Sequence, residues 1–96
     1  MFVGAVRFDL RLPGVHSLKE KRAVIRPILD GARNRHRVAS AEVGAHDVWQ
    51  RAVLGMSAVG SSAGHVEEVL SAVERFVWSF PEVEVVEAAR MWADGE

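Results

Sequence analysis

Cysteine is absent from this chain. That excludes a disulfide framework, a thiol nucleophile and a cysteine-based zinc site, and it suits a cytosolic protein. No apolar run approaches the ~20 residues that a membrane span needs, so no membrane partner is expected. Met1 to Arg7 carries no positive charge ahead of its apolar part and reads as a strand rather than a signal peptide. Glycine and proline are sparse, at eight and three residues in 96. With 49% of residues apolar and 26% charged, this is the composition of a folded chain, not a disordered one. One domain over residues 1–96 is expected, with a modest core and residues 93–96 frayed.

Catalytic motifs are lacking too. His16, His36, His46 and His65 form neither an H-x-H nor an H-E-x-x-H spacing. No G-x-S-x-G elbow occurs. Gly55 to Gly60 is glycine-bearing but lacks the P-loop lysine and the dinucleotide-binding spacing, and it reads as strand. No metal or cofactor is expected, and a non-catalytic role is favoured.

Net charge is nearly absent as well, at -1, but that value hides an asymmetry. Residues 1–37 hold nine lysines and arginines against three acids; residues 38–96 hold three against ten. The basic excess is concentrated in one segment. Ser17, with Glu20 three residues later, forms a capping box ahead of an apolar-periodic run. It predicts a helix from Leu18 to about Arg35 or His36. At ~100° per residue, Leu18, Val24, Ile25, Ile28, Leu29 and Ala32 share an apolar arc. Lys19, Arg22, Arg26 and Arg33 fall in a narrow wedge opposite, joined by Arg37 if the last turn reaches it; Asp30 is the only acid there. Like charges three and four apart cost a few tenths of a kcal/mol each. Helix stability therefore does not account for the wedge. A solvated face or an anionic partner does. Pro27 predicts a mild bend. Lys21 falls inside the apolar arc, which calls for a snorkelling stem, a partner carboxylate or a ligand-facing role.

The other elements follow from periodicity. Residues 2–12 alternate as a strand, with Phe2, Val6, Phe8, Leu10 and Leu12 on the buried face; Gly4 admits close packing by a helix. Residues 38–43 predict a short strand, and 44–47 a bulged connection. Residues 49–60 predict a long interior strand. Ser61 or Ser62 caps a second helix that Pro81 ends. Residues 83–92 predict the last strand, with Val83, Val85, Ala89 and Met91 on one face. Strand, helix, strand, strand, helix, strand, joined by right-handed split crossovers, gives an α+β fold. Its four-stranded antiparallel sheet has order 4-1-3-2 and both helices on one face.

The open face would carry Arg7, Asp9 and Arg11 beside Arg51, with no aromatic pair for base stacking. A second candidate site is the polar-aromatic cluster of Arg11, Lys21, His46, Asp47, Trp49, Gln50 and Arg51, an interface or pocket if its loops converge. Trp49 serves either as a roof over the core or as an interface anchor. His46 and Asp47 are the candidates if a small enzyme pocket lies there.

Leu12 to Arg22, Ala41 to Val43 and Asp47 to Gly55 resemble the small bacterial YlxP-like family, a domain of unknown function, and His65 to Leu70 fits its second-helix pattern. The resemblance implies a ferredoxin-like fold and a cytoplasmic bacterial protein. Genes of that family often lie near translation-initiation and ribosome-maturation genes. The resemblance thus raises an expectation of ribosomal RNA or a ribosomal subunit as partner. The alternative is a protein-interaction or homo-oligomeric scaffold working through the open sheet face.

Overall fold

A computed structural model describes residues 1–94. Its elements are β1 (Phe2–Arg11), α1 (Leu18–His36), β2 (Ala39–Gly44), β3 (Arg51–Gly60), α2 (Ala63–Trp78) and β4 (Glu84–Asp94). All strand pairs are antiparallel, and the sheet order is β2-β3-β1-β4, the expected order read from its other edge. The fold is the ferredoxin-like α+β arrangement, with both helices on one face.

The capping box starts α1 as the sequence requires. Ser17 Oγ accepts from the Glu20 N–H at 3.1 Å. The Glu20 carboxylate reaches one residue further back than expected, to the His16 N–H at 3.0 Å. Helix α1 runs through Pro27 without interruption, because the apolar stripe on either side stays in phase and holds both halves on the sheet. It ends where Arg37 enters the left-handed region, at φ 55°, and returns its N–H to the Arg33 carbonyl. Ser62 caps α2, accepting from the His65 N–H at 3.1 Å.

The core lies between the helices and the sheet. Val6, Phe8, Leu10, Leu54 and Met56 meet Ile25, Ile28, Leu70, Val73 and Val77. A Cβ at Gly4 would stand 2.9 Å from Leu70 and 3.0 Å from Val66, so the glycine expected to admit a helix is where α2 settles onto β1.

Two bulges correct the expected strand faces. Between Asp9 and Leu10 the β4 register skips Val86. Val85 therefore faces the helices, while Ala89 and Met91 join Glu87 on the open face and Ala88, Arg90 and Trp92 turn toward α2. The expected single alternation from Val83 to Met91 fails because the extra residue inverts the parity. A second skip, at Val43, closes β2 before Ala45, which adopts φ 56°. The strand expected from residue 49 begins at Arg51, for a reason that lies in the loop before it. Ala93 and Asp94 pair with Val3 and Phe2; of the residues 93–96 expected to fray, 95–96 lie outside the described residues. Among the described residues no helix is long and apolar enough to cross a membrane.

Candidate functional site

Lys21 is the one cation in the apolar arc of α1, and it is 2% exposed. Its ammonium lies under the β2–β3 loop. It donates to the carbonyls of Ala45 at 2.7 Å and Val48 at 2.9 Å, with His46 O further off at 3.5 Å. Glu42 Oε2 sits 2.8 Å from Nζ, an ion-pair contact outside hydrogen-bonding geometry. An ammonium has three donors, and here two carbonyls and a carboxylate surround it. Because the loop carbonyls turn inward to reach it, residues 45–49 are withdrawn from strand pairing, and β3 starts late. Gln50 ties the same loop to the segment before α1: its Nε2 donates to Val15 O at 3.0 Å, and Leu12 N–H donates to Gln50 O. Of the expected polar-aromatic cluster, Lys21 and Gln50 thus act inside the molecule, positioning the loop.

The rest of that cluster is divided. Arg11 and Arg51 line a shallow groove of about 410 Å³ at one end of the open face, beside Asp9, Val48, Val86 and the loop residue Gln50. Arg51 makes a two-pronged contact with Asp9, at 3.0 and 3.1 Å. This hydrogen-bonded ion pair holds the Asp9 carboxyl below its usual range against the opposing effect of burial, and the same contact raises Arg51 further. His46 turns back along β2, its Nε2 within 3.2 Å of the Glu42 carbonyl. Asp47 is exposed, and Trp49, at 51% exposure, does not roof the core. Among the described residues no group of three or more histidines, cysteines or acids is placed to hold a metal ion.

The basic wedge of α1 is assembled as expected in its first three turns. Lys19, Arg22 and Arg26 are exposed and border one groove of about 460 Å³ that runs over Pro27 to Asp30. Arg22, Arg26 and Arg33 also border the cleft between α1 and Glu42. Arg33 is committed: it donates to Asp30 at 3.0 Å and to the Ser40 carbonyl at 2.7 Å. Arg37 stands apart as the left-handed residue that closes the helix.

Pairing sorts the cations. Arg7, Lys21, Arg33, Arg51 and Arg90 each lie within 4 Å of a carboxylate. Among the described residues, Lys19, Arg22 and Arg26 have no such partner, and neither do Arg11, Arg35, Arg37 and Arg75; the first three border one groove.

Sequence reasoning missed Glu42, although a signal existed. It is the acid at an interior-phase position of β2, as Lys21 is the cation in the interior arc of α1. It also missed Arg90, which bridges β4 to α2 through Glu67 and Glu74, both at 2.7 Å; the bulge that turns Arg90 inward has no pattern in the sequence.

A model of the family described as "Protein of unknown function (DUF503)" matches residues 3–90. The "Uncharacterized protein YlxP" of Bacillus subtilis (strain 168) is 47% identical over 68 residues, covering 71% of this chain and 74% of that protein. The family match covers nearly all of the folded unit just described, and the chain belongs to the DUF503 family.

Proposed function

We propose that this chain is a non-catalytic cytoplasmic accessory protein that docks on ribosomal RNA or a ribosome-assembly intermediate, through the exposed face of α1. The observation that carries this reading is the contrast in pairing. Off the ridge, Arg7, Lys21, Arg51 and Arg90 are neutralised by acids, whereas among the cations of the described residues without a carboxylate partner, Lys19, Arg22 and Arg26 stand together along one groove. Three cations at helical spacing suit successive phosphates of a nucleic-acid backbone. Such contact is phosphate-directed and weakly selective for sequence. Arg33 and Arg37 extend the ridge as weaker members.

Gradient co-sedimentation with bacterial ribosomes, at low and raised salt, tests it. Salt-sensitive co-migration with one subunit is expected, and it is lost in the Arg22→Glu/Arg26→Glu variant. Binding unchanged in that variant would remove the ridge from consideration.

A second reading, a protein-docking or self-associating scaffold, is favoured by the open face. Ala5, Ala41, Val43, Gly55 and Met91 border an apolar groove of about 430 Å³ there, with Val43 54% and Met91 50% exposed. Pull-down that retains a protein partner while subunit binding is absent would favour it.

A further inference from the structure

We propose that two copies of this chain associate through the outer edge of β4, joining their sheets into one antiparallel sheet of eight strands. The inference is independent of RNA docking.

Both sheet edges expose backbone groups, but only one edge is blocked. The hydrogen-bonded register follows from Leu12 N–H donating to Gln50 O. Even-numbered residues of β1 bond to β3 and odd-numbered ones to β4. Carried across the sheet, this turns the backbone of Ser40 and Glu42 outward on β2, and that of Ala88, Arg90 and Trp92 outward on β4. On β2 both outward carbonyls are occupied by side chains: Arg33 donates to Ser40 O at 2.7 Å, and the His46 ring lies 3.2 Å from Glu42 O. The strand is also short, six residues ending in a bulge. These are the devices that keep an edge from pairing.

Strand β4 has none of them beyond Val86. It runs for eleven residues without proline or lysine. Its one inward-turned cation, Arg90, is matched by Glu67 and Glu74. Among the described residues nothing is bonded to the outward backbone groups of Ala88, Arg90 and Trp92.

The side chains on this strand fit a second copy. With a two-fold axis at Arg90, the strands pair Arg90 with its own counterpart. Ala88 then opposes the partner's Trp92 on the helical side, and Ala89 opposes the partner's Met91 on the open side. Large meets small at each step, and Trp92 and Met91, 44% and 50% exposed in the single chain, become covered. The two Arg90 groups meet with two glutamates apiece already in place, so their charges do not oppose each other bare. Helix α1 lies over the β2 side. At ~4.8 Å per strand, the two basic ridges would stand on the order of 30 Å apart on one layer.

Sedimentation velocity and residue-resolved amide exchange on the whole chain test this together. The expected result is a species of twice the 10.6 kDa chain mass. In it the amides of Ala88, Arg90 and Trp92 exchange slowly, while those of Ser40 and Glu42, on the capped edge, exchange fast. The Ala89→Glu/Met91→Glu variant places glutamates directly opposite one another across the axis. It is expected to dissociate at least about tenfold more readily, with its secondary structure kept by circular dichroism. A monomer under these conditions overturns the proposal. So does a dimer whose Ala88, Arg90 and Trp92 amides exchange as fast as Ser40 and Glu42; that outcome would place the contact elsewhere, on the open sheet face or with the helices. The exchange measurement on the unaltered chain stands if the variant fails to fold.

Discussion

An ammonium group taken out of water loses several kcal/mol of hydration unless its donors are met. Lys21 meets them with two loop carbonyls and Glu42, so its role is to hold the β2–β3 loop against α1. Lys21→Met keeps most of the stem and deletes the charge, leaving inward-facing carbonyls and a carboxylate without a partner. A loss of about 3 kcal/mol is expected, since removing one partner strands the other, and urea unfolding measures it. Glu42→Gln should cost less, about 1 kcal/mol, because the ammonium keeps its two carbonyls and the Glu42 side chain is 21% exposed. Asp9 carries the pH dependence at this scale. Arg51 holds its carboxyl below the ordinary 3.8. Its contribution to stability is therefore fully present above that value and is lost as pH falls through the lower folded value. In Arg51→Gln the Asp9 carboxyl should titrate closer to 3.8, followed by NMR at its carboxyl carbon; an unchanged titration would mean that the pair does not persist in solution. Solvent screens this exposed pair, so the titration is its informative readout. Lys21 was visible in the sequence as a cation out of phase. Its partners were not, because which carbonyls a loop turns inward depends on packing and not on residue type.

At the scale of elements, a helix is set by its caps and its stripe, and both are local. Ser17 with Glu20, Ser62 and Pro81 marked the helix ends to within a few residues. Where two helices cross is another matter. Gly31 lies mid-helix, a position at which alanine is ordinarily better by about 1 kcal/mol. Here a Cβ would land on the Phe76 ring of α2. Phe76 itself is held edge-on to Phe80, with centroids 5.1 Å apart, and under Arg35. Gly31→Ala should therefore destabilise by about 1–3 kcal/mol, the usual cost of overpacking, with the opposite sign to helix propensity. Thermal unfolding decides between the two. The strands were legible in number and order, since alternation and turn residues fix those. Their faces were legible only up to the bulges. One extra residue at Val86 inverts every side chain beyond it, and it is the pairing partner, not the strand's own composition, that selects where the extra residue goes.

For the whole molecule, the near-zero net charge gives no hint of affinity for a polyanion. Distribution matters more than the sum. The ten acids of residues 38–96 include those that neutralise Arg7, Lys21 and Arg90, while Lys19, Arg22 and Arg26 on the α1 ridge remain uncompensated among the described residues. With three phosphate contacts, counterion release would weaken binding roughly 40-fold between about 50 and about 200 mM salt. A titration of RNA binding against salt should show that slope, and the Arg22→Glu/Arg26→Glu variant should abolish it. A slope near zero would point instead to contact through the apolar open face. The basic wedge was legible from periodicity alone. That Arg33 would be drawn to Ser40 and Asp30, and that Arg37 would close the helix in the left-handed region, was not.

The order of elements, the antiparallel α+β topology, the capped first helix and its basic face follow from the chain's residues alone. Each rests on short-range rules: hydrophobic period, capping chemistry, turn residues and the handedness of crossovers. The folded arrangement sets which cations are neutralised and commits Lys21 to the loop carbonyls. It alone showed where the bulges invert β4, and that one sheet edge is capped by side chains while the other stands open. Those outcomes depend on distances between residues far apart in the chain, and a one-dimensional pattern carries no such distances.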